Sequence, residues 1–389
     1  MAEYVNNHIH TTYSFSPYSP AEAVKTARAA GLLTAGVMDH DTVAGAREFI
    51  EAGAAEGIAT TVGLECRCSM AGTPFEGRRL NNPDQKSVAY LTMHGIPHGL
   101  LDRAQAFITP YRARRDVRNR KMTERLDALF SPYGVRLGFD RDVAPSSMSA
   151  RGGTITERHI LFALAKKLTA KFGSGAELID FFAGSFNLGV TGGMREKLLA
   201  HGAPFYEYHL LGFLKSSFMG QFFIEAGDEL PHVTDFLRFA EEIGAISAYA
   251  YLGDVKGSAT GDKRDDAFED AYLDELVAWL AASGFRALTF MPSRNTDAQL
   301  DRIMALCARH GLFQVSGEDI NSPFQSFICG ALSQPRFSHL ITATWALIGH
   351  EKAATANPES GMFTDGSISK IGSLSERIEY FARIGQKKQ

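Results

Sequence analysis

Cysteine is scarce in this chain of 389 residues. Cys66, Cys68, Cys307 and Cys329 form no zinc-ribbon spacing and are expected as reduced thiols. No stretch approaches the roughly twenty uninterrupted apolar residues of a bilayer span, and Met1-Ala2-Glu3-Tyr4-Val5 lacks the basic and apolar regions of a secretory leader. These absences predict a cytoplasmic protein with no membrane partner. An excess of one charge is also missing: 40 Lys and Arg face 44 Asp and Glu, a net −4 that gives no global basic field, so no nucleic-acid partner is expected. One segment does concentrate positive charge, at Arg112, Arg114, Arg115, Arg118, Arg120, Lys121 and Arg125, and reads as the solvated face of a helix. Repeats and low-complexity tracts are absent. With 45% hydrophobic residues, what remains is ample material for one large core or two modest ones.

Against this plain background stands His8-Ile9-His10 near the start. Alternation along a strand throws both imidazoles to one face, where neutral imidazole suits zinc, iron or manganese. Ser19-Pro20-Ala21-Glu22 then reads as a helix start, with Ser19 as N-cap, Pro20 in the first turn and Glu22 closing a capping box. A strand at 33–38 delivers Asp39-His40-Asp41, one at 58–62 delivers Gly63-Leu64-Glu65, and one at 87–93 delivers His94. Further strands are expected at 244–250, 286–291 and 312–315, each after helical periodicity. Such βα alternation predicts an α/β protein, a closed parallel barrel over 1–330 with candidate ligands at the C-terminal strand ends. The alternation is interrupted over 95–242 by a mainly helical inserted region, including a long helix over 101–130. Residues 331–389 read as a C-terminal extension packing on the barrel.

In order and spacing, these residues resemble the PHP family, named for bacterial polymerases and histidinol phosphatase. Its His-x-His-Thr-x-x-Ser opening is similar to His8 through Ser14, its Asp-His to Asp39-His40, its Gly-x-Glu to Gly63-Leu64-Glu65, and its last motif in part to Gly317-Glu318-Asp319-Ile320-Asn321. The resemblance implies a distorted TIM-like (β/α)7 barrel and two divalent ions, of zinc, manganese or iron. His8, His10, Glu65 and Asp319 would hold one, with Glu65 bridging to a second on His94 and His159. His98 rivals His94, which is preferred because a strand end is held more rigidly than the loop after it.

The departures from the family pattern fall together. Where other members carry a third-ion ligand this chain has Phe15, their last histidine is Asn321, and their Ala-His-Pro is Ala250-Tyr251-Leu252. Hence no third ion is expected, and Phe15, Tyr251 and Asn321 should form a more apolar rim that contacts substrate. His40 becomes a general acid/base or a group behind the ligands, so the expected catalytic set is His40, Glu65 and Asp319.

The resemblance implies a metal-dependent phosphoesterase acting on a small phosphorylated molecule, since paired ions lower the pKa of bound water toward ~7. Arg158 and Arg294 are the expected phosphate partners, and Arg78, Arg79 and Lys86 are further candidates. Hydrolysis of a carbonyl or C–N bond is the second reading. A metal-stabilised binding protein without turnover is the third.

Overall fold

The computed structural model describes residues 3–254 and 267–387. Seven strands form one sheet in sequence order: β1 (Tyr4–Ile9), β2 (Leu32–His40), β3 (Ala59–Ser69), β4 (Val88–His94), β5 (Ile246–Ala250), β6 (Ala287–Phe290) and β7 (Phe313–Ser316). A parallel bridge between Ile9 and Ile320, just past β7, brings the two edges together, so the expected distorted barrel forms and nearly closes. The seam is tight at Gly317, where any Cβ would lie 2.7 Å from His8 Cβ and 2.8 Å from His8 N. Only glycine lets the chain carrying Asp319 approach β1 this closely.

One expectation about strand direction is overturned. β4 runs antiparallel to both β3 and β5, while every other pairing is parallel. The loop from 70 to 87 is a return connection, and without a helical crossover it cannot deliver a parallel strand. His94 therefore ends its strand at the opposite end of the barrel from the C-terminal ends of β2 and β3.

Two outer helices, α1 (Pro20–Ala29) and α2 (Ala46–Glu56), follow β1 and β2. The Ser19–Glu22 capping box starts α1 as the sequence predicts, and Pro20 occupies its first turn. Between β4 and β5 lie α3 (Leu101–Phe130), α4 (Glu157–Phe172), α5 (Ala176–Phe186), α6 (Gly192–Leu199), α7 (Tyr206–Phe222) and α8 (Val233–Glu242). The long helix α3 serves two cores. Its first turns put Leu101, Ala104 and Ile108 into the barrel's outer layer, whereas Met122, Leu126 and Phe130 pack with α4, α5 and α7 in a separate apolar cluster. The remaining outer helices are α9 (Leu273–Ala282) and α10 (Asp297–His310).

The chain ends in α11 (Ser338–Ala356), α12 (Asp365–Ile371) and α13 (Leu374–Gln386), and α11 closes the lower mouth of the barrel. Its Ala343, Ala346 and Leu347 meet the inward side chains Ile246, Ala248, Ala287, Phe313 and Val315. Thr344 Oγ1 accepts a hydrogen bond from Asn7 Nδ2 at 2.7 Å. Glu351 accepts from Thr61 Oγ1 and the Val62 amide, both at 2.7 Å. Helix α13 crosses α11 at glycine, because a Cβ on Gly349 would collide with the Phe381 carbonyl.

His98, the rival ligand, belongs to this closure: its Nε2 lies 2.8 Å from Glu351 Oε1. That hydrogen bond raises the His98 pKa above 6.5, with burial acting in the other direction. A histidine raised on folding stabilises the fold fully below its unfolded value of ~6.5 and loses that contribution as pH rises through the folded value. The melting temperature is thus expected to fall between pH 6 and pH 8.5 by more in the native protein than in His98→Gln. Equal falls in thermal scans at the two pH values would refute the latch.

Candidate metal centre

A bulge places the first imidazoles. Between Asn6 and Ile9 the register of β1 on β2 gains one residue, which lets Asn7 face α11 while His8 and His10 face the barrel's upper interior. Glu65 shares that interior, and its Oε2 is the meeting point: His40 Nδ1 lies at 2.9 Å, His8 Nε2 at 3.6 Å and His10 Nε2 at 3.8 Å. His10 Nε2 is also 3.1 Å from Asp319 Oδ1. His8, His10 and Glu65 alone among the described residues converge closely enough to hold one ion by three ligand atoms.

Electrostatics keep this centre anionic at its core. Burial works to raise the Glu65 carboxyl, but His8 and His40 hold it well below the usual carboxylate range. Burial likewise opposes charge on Asp319, yet His10 and His8 keep it below its ordinary value. His10 itself is lowered, by burial first and by His40 second, so it is neutral. His10 Nε2 is buried with no hydrogen-bond partner. A neutral imidazole presenting a bare, dry lone pair beside two carboxylates fits a divalent cation, since burying that atom unpaired is otherwise costly.

The remaining expected residues divide. His94 points inward two residues below Glu65, opposite Gly63, outside the cluster, with Nε2 2.9 Å from Thr92 Oγ1. Burial pushes its pKa down to about 3. His159 sits in the first turn of α4, and its Nδ1 accepts the Thr156 N–H at 3.0 Å, which leaves the proton on Nε2. In that state it is a hydrogen-bond donor rather than a metal ligand; burial drops its pKa to about 3.

Arg158 Nη1 donates to Asn321 Oδ1 at 2.7 Å, and Asn321 Nδ2 donates to Asp319 Oδ1 at 2.8 Å, so both stand beside the cluster. Arg294 Nε donates to the Leu252 carbonyl at 3.3 Å, on the loop after β6. Arg78 pairs with Glu275 on α9, Arg79 lies over the Phe268 ring and Lys86 is exposed.

Of the expected rim of Phe15, Tyr251 and Asn321, the first and last both meet Arg158, which lies 5.9 Å from the Phe15 ring and donates to Asn321, whereas Tyr251 turns away. The Tyr251 hydroxyl donates to Asp270 Oδ1 at 2.5 Å, and its ring joins Leu273 and Leu276 in the outer layer, because alternation from Tyr249 turns it outward. Phe15 is buried, its ring packed on His159, Phe162 and Tyr208 at 5.0, 5.8 and 5.6 Å. It ties the loop after β1 to the helical region instead of lining an open wall.

The basic run on α3 is corrected in part: Arg114, Arg120, Lys121 and Arg125 are exposed as a solvated face requires, but two members are not. Arg115 and Arg118 are buried, and with Arg67 they meet Asp41, Glu157 and Glu229: Arg118 reaches Glu157 and Glu229 at 2.6 Å, Arg67 reaches Glu229 at 2.6 Å, and Arg115 pairs with Asp41. Arg67 is two residues beyond Glu65 on the same face of β3, and its register partner Tyr90 lies 5.7 Å from the His40 ring. None of Arg67, Tyr90 and Glu229 was expected from sequence. Strand alternation from Glu65 was the available signal for Arg67.

The site and the barrel around it thus define a class: imidazoles and carboxylates gathered at one end of a nearly closed α/β barrel. Residues 6–138 match the PHP domain, which bears out the resemblance over that span. No curated relative matches the chain. A candidate metal-dependent phosphoesterase from Bifidobacterium adolescentis is 20% identical, with a TM-score of 0.54 over 85% of this chain and 94% of that one. An amidohydrolase from Chromobacterium violaceum, its structure holding sulfate and no metal, is 18% identical, with a TM-score of 0.53 over 87% of this chain and 96% of that one. The PHP match over residues 6–138 spans three of the donors, His8, His10 and Glu65, that could hold a metal ion.

Proposed function

We propose that the protein is a metal-dependent phosphoesterase acting on a small phosphorylated molecule. The observation that carries this reading is the bare Nε2 of His10, buried between Asp319 and Glu65 with Arg158 beside it. His8, His10, Glu65 and Asp319 would hold one divalent ion, and Glu65 would join it to a second on the His40 side. Zinc, manganese or iron suits such mixed ligands. When bound, the ions supply an activated water and charge stabilisation at the attacked group.

The chain's own residues supply the rest. Arg158 carries a forked guanidinium that matches two phosphate oxygens. His159 offers Nε2–H to the same group, and His40, a quarter exposed, stands where a leaving oxygen can take a proton. The Chromobacterium violaceum structure of similar fold has sulfate bound, a tetrahedral dianion like the phosphate group of the proposed substrate.

That neighbour's name also favours a second reading, hydrolysis of an amide or other carbonyl substrate. A phosphate-release screen of metal-loaded enzyme, run against an ester and amide panel, separates the two. Under the first reading Arg158→Ala lowers kcat/KM on phosphoesters by about 10- to 100-fold, the loss of one or two charged hydrogen bonds. Turnover confined to the carbonyl panel would transfer the assignment to the second reading.

A further inference from the structure

We propose that Ser14 and Asp39 are positioning residues that hold His10 in one tautomer, with the proton on Nδ1, so that Nε2 stays bare toward Glu65 and Asp319. The chain starts from a turn: the Ser14 amide donates to the Thr11 carbonyl at 3.0 Å, which brings both hydroxyl side chains to one side of the loop. There they meet the Asp39 carboxylate. Its Oδ1 accepts the Thr11 amide at 2.6 Å and the Ser14 hydroxyl at 2.6 Å, and its Oδ2 accepts the Thr11 hydroxyl at 2.6 Å.

The direction of each bond then follows from the donor inventory. A carboxylate only accepts, so the single Ser14 hydroxyl proton is committed to Asp39. Ser14 Oγ is also 3.2 Å from His10 Nδ1. With its proton spent, that oxygen can only accept, and the imidazole must donate from Nδ1. A neutral imidazole has one N–H, which leaves Nε2 unprotonated. This agrees with the independent finding that Nε2 is buried without a partner and faces an Asp319 oxygen at 3.1 Å. Were the proton on Nε2, the ring would hydrogen-bond Asp319 and present nothing to a cation.

His159 shows the opposite arrangement in the same site. A backbone N–H from Thr156 reaches its Nδ1 at 3.0 Å, so its proton is on Nε2. The fold therefore specifies two histidines in opposite tautomers, one as an acceptor and one as a donor. The motif Thr11-x-x-Ser14 acquires a physical reason: both residues clamp Asp39, but only Ser14 passes the clamp on to an imidazole. The use of the bare nitrogen rests on the metal-dependent reading; the tautomer does not.

Nitrogen-15 NMR of the histidines in the metal-free full-length protein reads the tautomer directly, with His159 as internal control. His10 is expected with protonated Nδ1 and bare Nε2, and His159 with the reverse. Ser14→Ala should mix the His10 tautomers and leave His159 unchanged, and Ser14→Thr, which restores the hydroxyl, should recover the native pattern. In parallel, affinity for manganese or zinc alone, by competition with a chromophoric chelator, should fall about 10- to 100-fold in Ser14→Ala and recover in Ser14→Thr. A His10 tautomer unchanged in Ser14→Ala would overturn the proposal. A tautomer that shifts as described in a protein binding neither metal would uphold the relay and reject the metal-dependent reading.

Discussion

Glu65→Gln is expected to abolish turnover and to leave the metal-free protein folded but somewhat less stable at neutral pH. The substitution keeps the size of the side chain and an oxygen for His40. What it removes is a buried anion toward which His8, His10 and His40 all converge within 4 Å. His8 and His40 hold this carboxyl well below the usual carboxylate range, so folding favours its ionised form, and neutralising it takes that pairing from the fold and from the site the charge that a cation needs. A drop in kcat of three orders of magnitude or more, ~4 kcal/mol of barrier, is expected. Elemental analysis after dialysis should find both ions gone, since one carboxylate serves both positions in the proposed centre. Asp319→Asn should empty mainly the His8–His10 side. Retained metal with turnover within tenfold of the native enzyme would overturn the central role given to Glu65.

The upper interior of the barrel was legible in sequence where local rules decide it. His8 and His10 were found because alternation puts their side chains on one face, Glu65 because a strand end and a Gly-x-Glu motif coincide there, and Ser19–Glu22 because capping is a matter of four residues. The direction of the strand that ends at His94 was misread for a reason equally physical. A strand looks the same read in either direction, and only the connection reveals which way it runs. The loop between β3 and β4 contains no helix, and that was the signal to weigh. Tyr251 was placed at the rim by analogy of position, although alternation from Tyr249 already turned it outward. The closure of the lower mouth by α11 could not be read at all: Thr344 and Glu351 meet Asn7 and Thr61 across about 290 to 340 positions of sequence, and no local pattern encodes such a meeting. The arginines of α3 failed differently. Their spacing describes a charged helix face correctly, but whether that face meets water or acids depends on Glu157 and Glu229, which lie far along the chain.

Those arginines yield the other large effect expected: Glu229→Ala should destabilise the protein by about 3–5 kcal/mol, the cost of leaving buried charges without their partner. Glu229 is almost fully buried and accepts from both Arg67 and Arg118 at 2.6 Å, so its removal leaves two buried guanidiniums sharing the single carboxylate of Glu157. Asp140→Ala offers the contrast. It breaks an ion pair with Arg120 on the same helix, but there water solvates what remains, and no measurable change is expected. Position in the fold, not the number of ion pairs, sets the size of the effect. Adding Arg118→Met to Glu229→Ala should recover part of the loss, because an apolar side chain of similar length needs no partner. The functional consequence follows from Glu157, which shares Arg118 and directly precedes Arg158 and His159 at the start of α4. A loosened network would let that first turn shift away from Asp319, so Glu229→Ala at a temperature where it remains folded should raise KM for a phosphoester more than it lowers kcat. Chemical denaturation and steady-state kinetics on the single and double variants decide the matter. A Glu229→Ala protein within 1 kcal/mol of native would mean that the buried arginines find water or other acceptors, and that the helical region is held to the barrel by apolar packing alone.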